Sequence, residues 1–253
     1  MTTRVELLAI PGLPMVREGD DLAALIRDGL AGAKLSLRDR DVVVIAQKIV
    51  SKAEGRMVDL AGVVPSAEAV ELAAQVGKDP KIVQVVLSDS VRVVRSRPNL
   101  MIMQHRLGFV MANAGVDQSN VHEADGKHRA LLLPVDPDGS AERIRAALST
   151  EADIAVVISD SFGRPWRRGT QGVAIGAAGL PALIDLRGQP DLFGRILEVS
   201  IIGFADEIAA AASLLQGQAD EAQPVVILRG LTWNAPNCPV SDVVRPPEED
   251  LFQ

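Results

Sequence analysis

Short apolar runs joined by short connections constrain the fold of this chain more than any other feature. Runs rich in valine and isoleucine, which are typical of buried strands, occur at residues 42–45, 156–158 and 224–228. Segments with helical periodicity lie between the expected strands, but strands and helices do not alternate strictly. Because parallel strands need long crossover connections, the short connections favour antiparallel pairing. The sequence therefore predicts an α+β fold with mixed or antiparallel sheets rather than a doubly wound parallel sheet.

Polar residues and glycines mark the expected ends of the helices. Asp20 or Asp21 precedes a helix whose apolar residues recur on one face, and Ser66 precedes a second. A further helix is expected over residues 205–215, where alanine, isoleucine and leucine predominate. Gly217 follows that segment and supplies a typical stop signal.

Composition excludes several classes of function. The net charge of −7 argues against general nucleic-acid binding, and an aromatic content of 3% without tyrosine leaves few platforms for base stacking. Cys238 is the single cysteine, which rules out an internal disulfide and a cysteine-cluster metal site. No uninterrupted apolar run reaches the ~18 residues of a membrane helix. Arg4 and Glu6 interrupt the N-terminal apolar stretch, so no signal peptide is expected. We expect one globular, cytoplasmic domain over residues 1–253.

The segment 155–176, AVVISDSFGRPWRRGTQGVAIG, combines an acid with a cluster of arginines. Its apolar run is expected to end as a strand at Ser159, which places Asp160 at a strand end, where a rigid carboxylate suits a cation. Guanidinium groups bind phosphates and carboxylates through paired N–H bonds, and the segment supplies Arg164, Arg167 and Arg168. This pattern indicates phosphate or carboxylate chemistry. The alternative is a solvated loop with local ion pairs, because charged loops are common on surfaces.

Two other polar segments follow apolar runs. Lys48 and Lys52 come directly after the strand expected at 42–45 and are candidates for phosphate contacts; the alternative is a polar exit to solvent. Asp117 and Asn120 lie in a turn-rich segment, at a spacing that lets both face a cation or a ligand. The alternative there is an Asx turn, whose side chains accept hydrogen bonds from nearby backbone donors. The residues alone leave both choices open.

The common nucleotide-binding and hydrolase motifs are absent from the sequence. It contains no G-x-x-x-x-G-K-[ST] loop, no G-x-G-x-x-G after a strand, no H-E-x-x-H and no G-x-S-x-G. A nucleotide site in this chain must therefore be built from separate loops.

Several ordered segments resemble the F(420)-0:γ-glutamyl ligase family, whose members attach L-glutamate to the deazaflavin coenzyme precursor F(420)-0 with GTP. The resemblance covers nearly the whole chain and is carried by residues 46–56 (AQKIVSKAEGR), 108–121 (GFVMANAGVDQSNV), 131–138 (LLLPVDPD), 157–176, 205–217 and 224–230. It implies that GTP phosphorylates a carboxylate of F(420)-0 and that the amine of glutamate attacks the acyl phosphate. It also implies two divalent cations, Mg²⁺ or Mn²⁺, which neutralise phosphate charge, and a monovalent cation such as K⁺.

The same resemblance assigns roles to single residues. Asp117 and Asp160 correspond to metal-binding carboxylates, and with Lys52, a phosphate partner, they form the predicted catalytic set. Ser161 corresponds to a hydroxyl ligand of a metal. Gln218 stands where some relatives have a carboxylate, and its amide oxygen is the weaker donor for a hard cation. The predicted nucleotide contacts are Leu13, Pro14, Met15, Val16, Gln47, Lys52, Asn120, Gln216, Gly217, Gln218, Ala219, Asp220, Glu221, Ala222 and Gln223.

The resemblance further implies two interwoven subdomains, a homodimer with the site in a groove at its interface, and a stand-alone form without the nitroreductase-like domain of some relatives. In this scheme we predict that Arg164, Arg167 and Arg168 hold the acidic tail of the coenzyme or the incoming glutamate. Two other functions compete with the ligase: a metal-dependent phosphohydrolase or kinase that uses the same site, and a non-enzymatic nucleotide-binding module. The number and order of the matching segments favour the ligase.

Overall fold

The computed structural model describes residues 4–119, 121, 126 and 128–251. The helices of this part are α1 (Leu22–Gly32), α2 (Gln47–Ala53), α3 (Ala67–Val76), α4 (Pro80–Ser88), α5 (Pro137–Leu148) and α6 (Phe204–Gln216). The strands are β1 (Glu6–Ala9), β2 (Val42–Ala46), β3 (Met57–Asp59), β4 (Ser90–Arg97), β5 (Leu100–His105), β6 (Val110–Ala112), β7 (Arg129–Leu131), β8 (Ala155–Arg164), β9 (Arg167–Ala178), β10 (Ile184–Asp185), β11 (Ile201–Ile202) and β12 (Val225–Arg229).

A five-stranded sheet in the order β1–β12–β2–β8–β9 forms the centre of the fold. β2 and β8 are parallel, and the other neighbours are antiparallel. Apolar residues of α1 and α5 cover one face of the sheet, and those of α6 cover the other. Because the central strands are covered on both faces, they read as uniform apolar runs. The predicted α+β class with mixed sheets is confirmed.

A second apolar cluster lies between α3, α4 and the antiparallel sheet β4–β5–β6. β5 alternates between buried and partly buried residues, which is the pattern of a strand with one covered face. The short pairs β3–β7 and β10–β11 are also antiparallel. Within the described residues, no helix combines the length and apolar character needed to cross a membrane.

The predicted helix ends agree with the structure. Asp21 caps α1, its carboxylate accepting a hydrogen bond of 3.0 Å from the backbone N–H of Ala24. Ser66 caps α3 through a 3.2 Å bond from the N–H of Ala69. α6 ends just before Gly217, which has a left-handed φ of 69°. Such caps satisfy backbone groups that a helix end would otherwise leave unpaired.

The strand that was expected to end at Ser159 is longer than predicted. β8 continues to Arg164 and turns back into β9, so Asp160 lies within a strand, opposite Val173. The prediction was wrong because β9 supplies backbone partners for a polar segment, and this pairing overrides the local preference of the residues. Arg164 lies opposite Arg167 at the tip of the resulting hairpin, rather than in an open loop beside the acid.

Gly176 lies where β9 passes the start of α5 with no room for a side chain. A Cβ at this position would meet the carbonyl of Pro137 and lie 2.7 Å from the Cβ of Pro137. We expect Gly176→Ala to lower the free energy of unfolding by about 2 kcal/mol, because backbone must shift to admit the methyl group. Urea denaturation measures the change. Gly163→Ala, in the same hairpin but with open space around the new Cβ, is the matched control. An equal loss in both variants would contradict the steric explanation.

Candidate functional site

A cavity of about 320 Å³ opens beside the ends of β2 and α6 and along β8. Parallel pairing sets Ala46 of β2 opposite Ser159 of β8, so the residues that follow each of them meet at one edge of the sheet. Asn120 lies outside the described residues. All the other predicted nucleotide contacts line the cavity, namely Leu13, Pro14, Met15, Val16, Gln47, Lys52, Gln216, Gly217, Gln218, Ala219, Asp220, Glu221, Ala222 and Gln223.

Three successive residues of β8 border this cavity. In a regular strand, neighbouring side chains point to opposite faces, yet Ser159, Asp160 and Ser161 all line the cavity. β2 ends at Ala46, opposite Ser159, so the edge of β8 that follows is not covered by β2 and borders the cavity. The pairing of β8 with β9 also shifts register between Ile158 and Ser159, and the extra residue of this bulge lies on β9.

A segment of unusual backbone precedes Asp117. Asn113 and Ala114 have a φ of 51°, and Gly115 has a φ of 73°; non-glycine residues rarely adopt such left-handed conformations. Backbone pairing with Leu131, with N–O distances of 3.0 and 2.8 Å, then holds Asp117 in place. Backbone strain of this kind persists only where surrounding structure enforces it.

The carboxylate of Asp117 has two partners. Its Oδ1 accepts a 2.7 Å hydrogen bond from the backbone N–H of Ser119, which is an Asx turn. Its Oδ2 lies 2.8 Å from Nζ of Lys48, on the first turn of α2. The sequence left open whether Asp117 closes an Asx turn or faces a cation. Both apply, since its carboxylate closes the turn and also contacts the ammonium group of Lys48 in the cavity wall.

Two hydrogen bonds join β8 to the loop that follows α6. The hydroxyl of Ser161 donates to Oε1 of Gln218 over 3.0 Å, and the hydroxyl of Ser159 donates to Oε1 of Gln216 over 3.3 Å. The structure thus brings together Ser161 and Gln218, which the sequence predicts as metal ligands.

The two acids of the site have opposite pKa shifts. Burial alone would raise the pKa of Asp117, but hydrogen bonds from Lys48 and from the N–H of Ser119 outweigh it and hold the pKa below its ordinary value. Burial and, to a smaller extent, the charge of Asp117 raise the pKa of Asp160 to about 7, although a hydrogen bond from the N–H of Ser161 opposes them. A cation bound in the cavity would therefore stabilise ionised Asp160 strongly.

The oxygen donors in and beside the cavity suit a hard divalent cation. Asp160, Ser161 and Gln218 line the cavity, and Asp117 adjoins it through its contact with Lys48. Their carboxylate, hydroxyl and amide oxygens are the kinds of ligand that Mg²⁺ and Mn²⁺ accept. The ammonium group of Lys48 shows that a positive charge fits beside Asp117. Among the described residues, no group of three or more histidine, cysteine, aspartate or glutamate side chains gathers into a metal site. A divalent cation here must therefore take further ligands from neutral oxygens, phosphate or water.

The three arginines predicted to hold the coenzyme tail lie apart from the cavity. Arg164 and Arg167 pair at the hairpin tip, about 13 Å along an extended strand from Asp160, and Arg168 is exposed. Arg164 donates a long 3.4 Å hydrogen bond to the carbonyl of Gly169. Their role in binding an acidic substrate stays a prediction.

Sequence reasoning missed the contact between Lys48 and Asp117. It treated Lys48 as a phosphate ligand and Asp117 as a metal ligand, and no local pattern connects two residues so distant in the chain. It also missed Ser119, whose hydroxyl accepts a 2.7 Å bond from Lys48. The only signal was the position of each residue directly after an apolar run.

Comparisons with known proteins agree with the resemblance. Residues 12–230 match the family model described as F420-0:Gamma-glutamyl ligase. The chain is 45% identical to the Coenzyme F420:L-glutamate ligase of Methanothermobacter thermautotrophicus, over 98% of this chain and 99% of that protein. It is 42% identical to the protein of the same name from Methanocaldococcus jannaschii, over 99% and 97%, and 46% identical to that of Halorubrum lacusprofundi, over 89% and 87%. The chain belongs to the F420-0:gamma-glutamyl ligase family.

Proposed function

We propose that the protein is a GTP-dependent ligase that adds L-glutamate through a γ-glutamyl-type amide linkage to coenzyme F(420)-0, and then further glutamates, in the biosynthesis of coenzyme F(420). Family membership and the names of the relatives support the substrates. The observation that carries the proposal is the cavity whose wall contains Asp160, the predicted nucleotide contacts other than Asn120, and Lys48, the ion-pair partner of Asp117. Its volume of about 320 Å³ lies within the range of small-molecule sites.

GTP would lie against both the lysines of α2 and the loop after α6. Lys48 and Lys52 lie one helical turn apart on α2 and line the cavity, so their ammonium groups can contact neighbouring phosphate oxygens. The loop 216–223 forms the facing wall. Gly217, with its left-handed φ, lets this loop turn sharply away from α6.

Asp117, Asp160, Ser161 and Gln218 would hold the two Mg²⁺ or Mn²⁺ ions of this proposal, and K⁺ is proposed as an additional ion. When bound, such cations neutralise the charge that develops on the transferred phosphate. Backbone pairing with β9 gives Asp160 and Ser161 fixed positions in β8, and the hydrogen bond between Ser161 and Gln218 sets the distance between strand and loop. Positioning of this kind is the main contribution that a protein makes to phosphoryl transfer.

The proposed reaction has two steps. A carboxylate oxygen of F(420)-0 takes the γ-phosphoryl group of GTP, and GDP leaves. The amine of glutamate then attacks the acyl carbon, loses a proton and expels inorganic phosphate, which forms the amide. The walls of the cavity would shield the acyl phosphate from water, which would otherwise hydrolyse it.

A homodimer is part of the same proposal. The segment between β10 and β11 exposes apolar side chains, with exposed fractions of 98% for Leu192, 95% for Phe193 and 85% for Val199. Clustered apolar side chains of this size on a surface are typical of interfaces, and the family resemblance supports a second copy as the partner. Light scattering on the purified protein gives the mass of the assembly, and a monomer at all concentrations would contradict this part of the proposal.

Mass spectrometry of F(420)-0 after incubation with the protein, GTP, Mn²⁺ and L-glutamate tests the activity directly. We expect a product heavier by one or more glutamyl residues, with GDP formed in step, and no such product with the Asp160→Asn variant. Hydrolysis of GTP without change in F(420)-0 would favour the phosphohydrolase alternative. Binding of GTP that survives Asp160→Asn, with no reaction in either protein, would favour a nucleotide-binding module.

A further inference from the structure

The part of the cavity proposed to bind cations, beside Asp117 and Asp160, contains a positive charge of the protein itself. Nζ of Lys48 lies 2.8 Å from Oδ2 of Asp117, 2.7 Å from the hydroxyl of Ser119 and 3.5 Å from the carbonyl of Ser119. These three acceptors match the three N–H donors of an ammonium group. Lys48 is therefore held by specific contacts, although 30% of its side chain is exposed.

The same oxygen cannot serve both Lys48 and a metal ion without cost. A divalent cation takes carboxylate oxygens at about 2.1–2.2 Å, so an ion on Oδ2 of Asp117 would lie within about 5 Å of the ammonium group. Two positive centres that close repel each other. The ion must therefore either displace Lys48 from Asp117 or bind Asp117 weakly.

The predicted metal ligands carry little net negative charge. Asp117 and Asp160 are the two acids among them, and Lys48 forms an ion pair with the first; Asp220 and Glu221 also line the cavity, on the loop after α6. The other predicted ligands, Ser161 and Gln218, are neutral. A nucleotide triphosphate would add several negative charges at this position, and it would also offer Lys48 new acceptors.

From these contacts we infer that Lys48 acts as an internal counter-cation of Asp117. Its ammonium group keeps a divalent metal ion off the Asp117 carboxylate until nucleotide phosphates bind that ammonium group instead. The inference rests on the proposed function, because it assumes that GTP and a divalent cation share this cavity. Lys48 is then a positioning residue for ordered binding: the nucleotide phosphates take up its ammonium group first, and the divalent ion then binds Asp117.

Mn²⁺ binding, followed by electron paramagnetic resonance of the free ion, tests this order without measuring catalysis. The wild type is expected to bind Mn²⁺ weakly alone and tightly with GTP. Lys48→Gln is expected to bind Mn²⁺ about tenfold more tightly without GTP, since Asp117 loses its internal partner. With GTP present, the gain in Mn²⁺ affinity should vanish or reverse, because the variant lacks the ammonium group that would contact the phosphates.

Lys52→Gln is the matched control, since Lys52 lines the same cavity one helical turn away. It removes the same charge, and we expect a clearly smaller gain in Mn²⁺ affinity without GTP. Equal gains in both variants would show a general charge effect and overturn the inference, as would an unchanged affinity in Lys48→Gln. Tight Mn²⁺ binding by the wild type without GTP, together with a glutamylated product, would overturn the inference alone. Failure of all three proteins to bind Mn²⁺, even with GTP, would overturn the proposed metal site as well.

Discussion

Asp160→Asn is expected to lower the rate of product formation by at least about 1000-fold while it stabilises the metal-free protein at alkaline pH. The loss of activity follows from the proposed role of Asp160 as a ligand of a divalent cation, because a neutral amide cannot replace the charge of the carboxylate. The gain in stability follows from the cost of a carboxylate whose surroundings favour the protonated form. A variant that is inactive and yet more stable distinguishes loss of a ligand from loss of the fold.

The gain should depend on pH in a definite direction. Burial raises the pKa of Asp160 from an ordinary value of 3.8 to about 7 in the folded protein. Between these values the unfolded chain releases a proton that the folded chain keeps, so the metal-free protein loses stability as the pH rises from about 4 to about 7. Above pH 7 this loss of stability stays constant. Asparagine carries no charge and causes no such loss, so the difference in stability between variant and wild type should be small near pH 4 and largest above pH 7.

The difference between the two pKa values corresponds to an upper bound of about 4 kcal/mol. Because Asp160 is only partly buried by surface area, we expect a gain of about 2 kcal/mol, or about 5 °C in melting temperature, at pH 8. Melting curves with a chelator present, at pH 5 and pH 8, measure it. Added Mn²⁺ with GTP should stabilise the wild type and not the variant. A variant less stable than the wild type at pH 8 would contradict the assignment of Asp160 as a destabilised carboxylate.

Arg229→Ala is expected to lower the free energy of unfolding by about 3 kcal/mol, because it leaves the buried carboxylate of Asp41 without its partner. Asp41 lies at the start of β2 with 1% of its surface exposed. Nε and Nη2 of Arg229, at the end of β12, donate to its two oxygens over 2.9 and 2.7 Å. The N–H of Arg38 also donates to Asp41 over 2.9 Å, which cannot replace the lost positive charge.

Arg187→Ala supplies the matched control for this prediction. Nε of Arg187 donates to Oδ1 of Asp185 over 2.9 Å and Nη2 donates to Oδ2 over 2.6 Å, but 54% and 47% of the two side chains are exposed. Water and salt screen such a pair, so its loss should leave stability nearly unchanged. Urea denaturation of both variants beside the wild type measures the contrast. If Arg229→Ala lowered the free energy of unfolding only slightly, and by the same amount as Arg187→Ala, burial of Asp41 would not be what makes the loss of its partner destabilising.

Much of the fold can be predicted from local patterns in the sequence. Asp21, Ser66 and Gly217 mark helix ends because caps satisfy backbone groups within a few residues. The apolar runs in β2 and β12 indicate buried strands because their whole length is covered. The predicted nucleotide segments, including residues 13–16 and 216–223, converge on one cavity, and the matching family explains why they could be named before the cavity was seen.

Contacts between distant segments could not be predicted in this way. The arginines of the β8–β9 hairpin were expected beside Asp160, but pairing with β9 carries them to its tip. The position of Asp160 at the cavity follows from the pairing of β8 with β2, which ends opposite Ser159, so neither strand shows it alone. The pKa of Asp160 likewise depends on burial and on Asp117, which lies in a separate loop.

The sequence by itself determined the α+β class and the helix ends, which depend on residue type and on spacing over a few turns, where backbone geometry fixes which groups meet. It also determined the family and, through that resemblance, the segments that form the candidate site, because matching segments occur along nearly the whole chain. Only the tertiary structure decided the length of β8, the pairing of Lys48 with Asp117 and the position of Arg164 and Arg167. These features arise from backbone pairing and charge contacts between segments far apart in the chain, and the free energy of such contacts depends on geometry that local sequence does not contain.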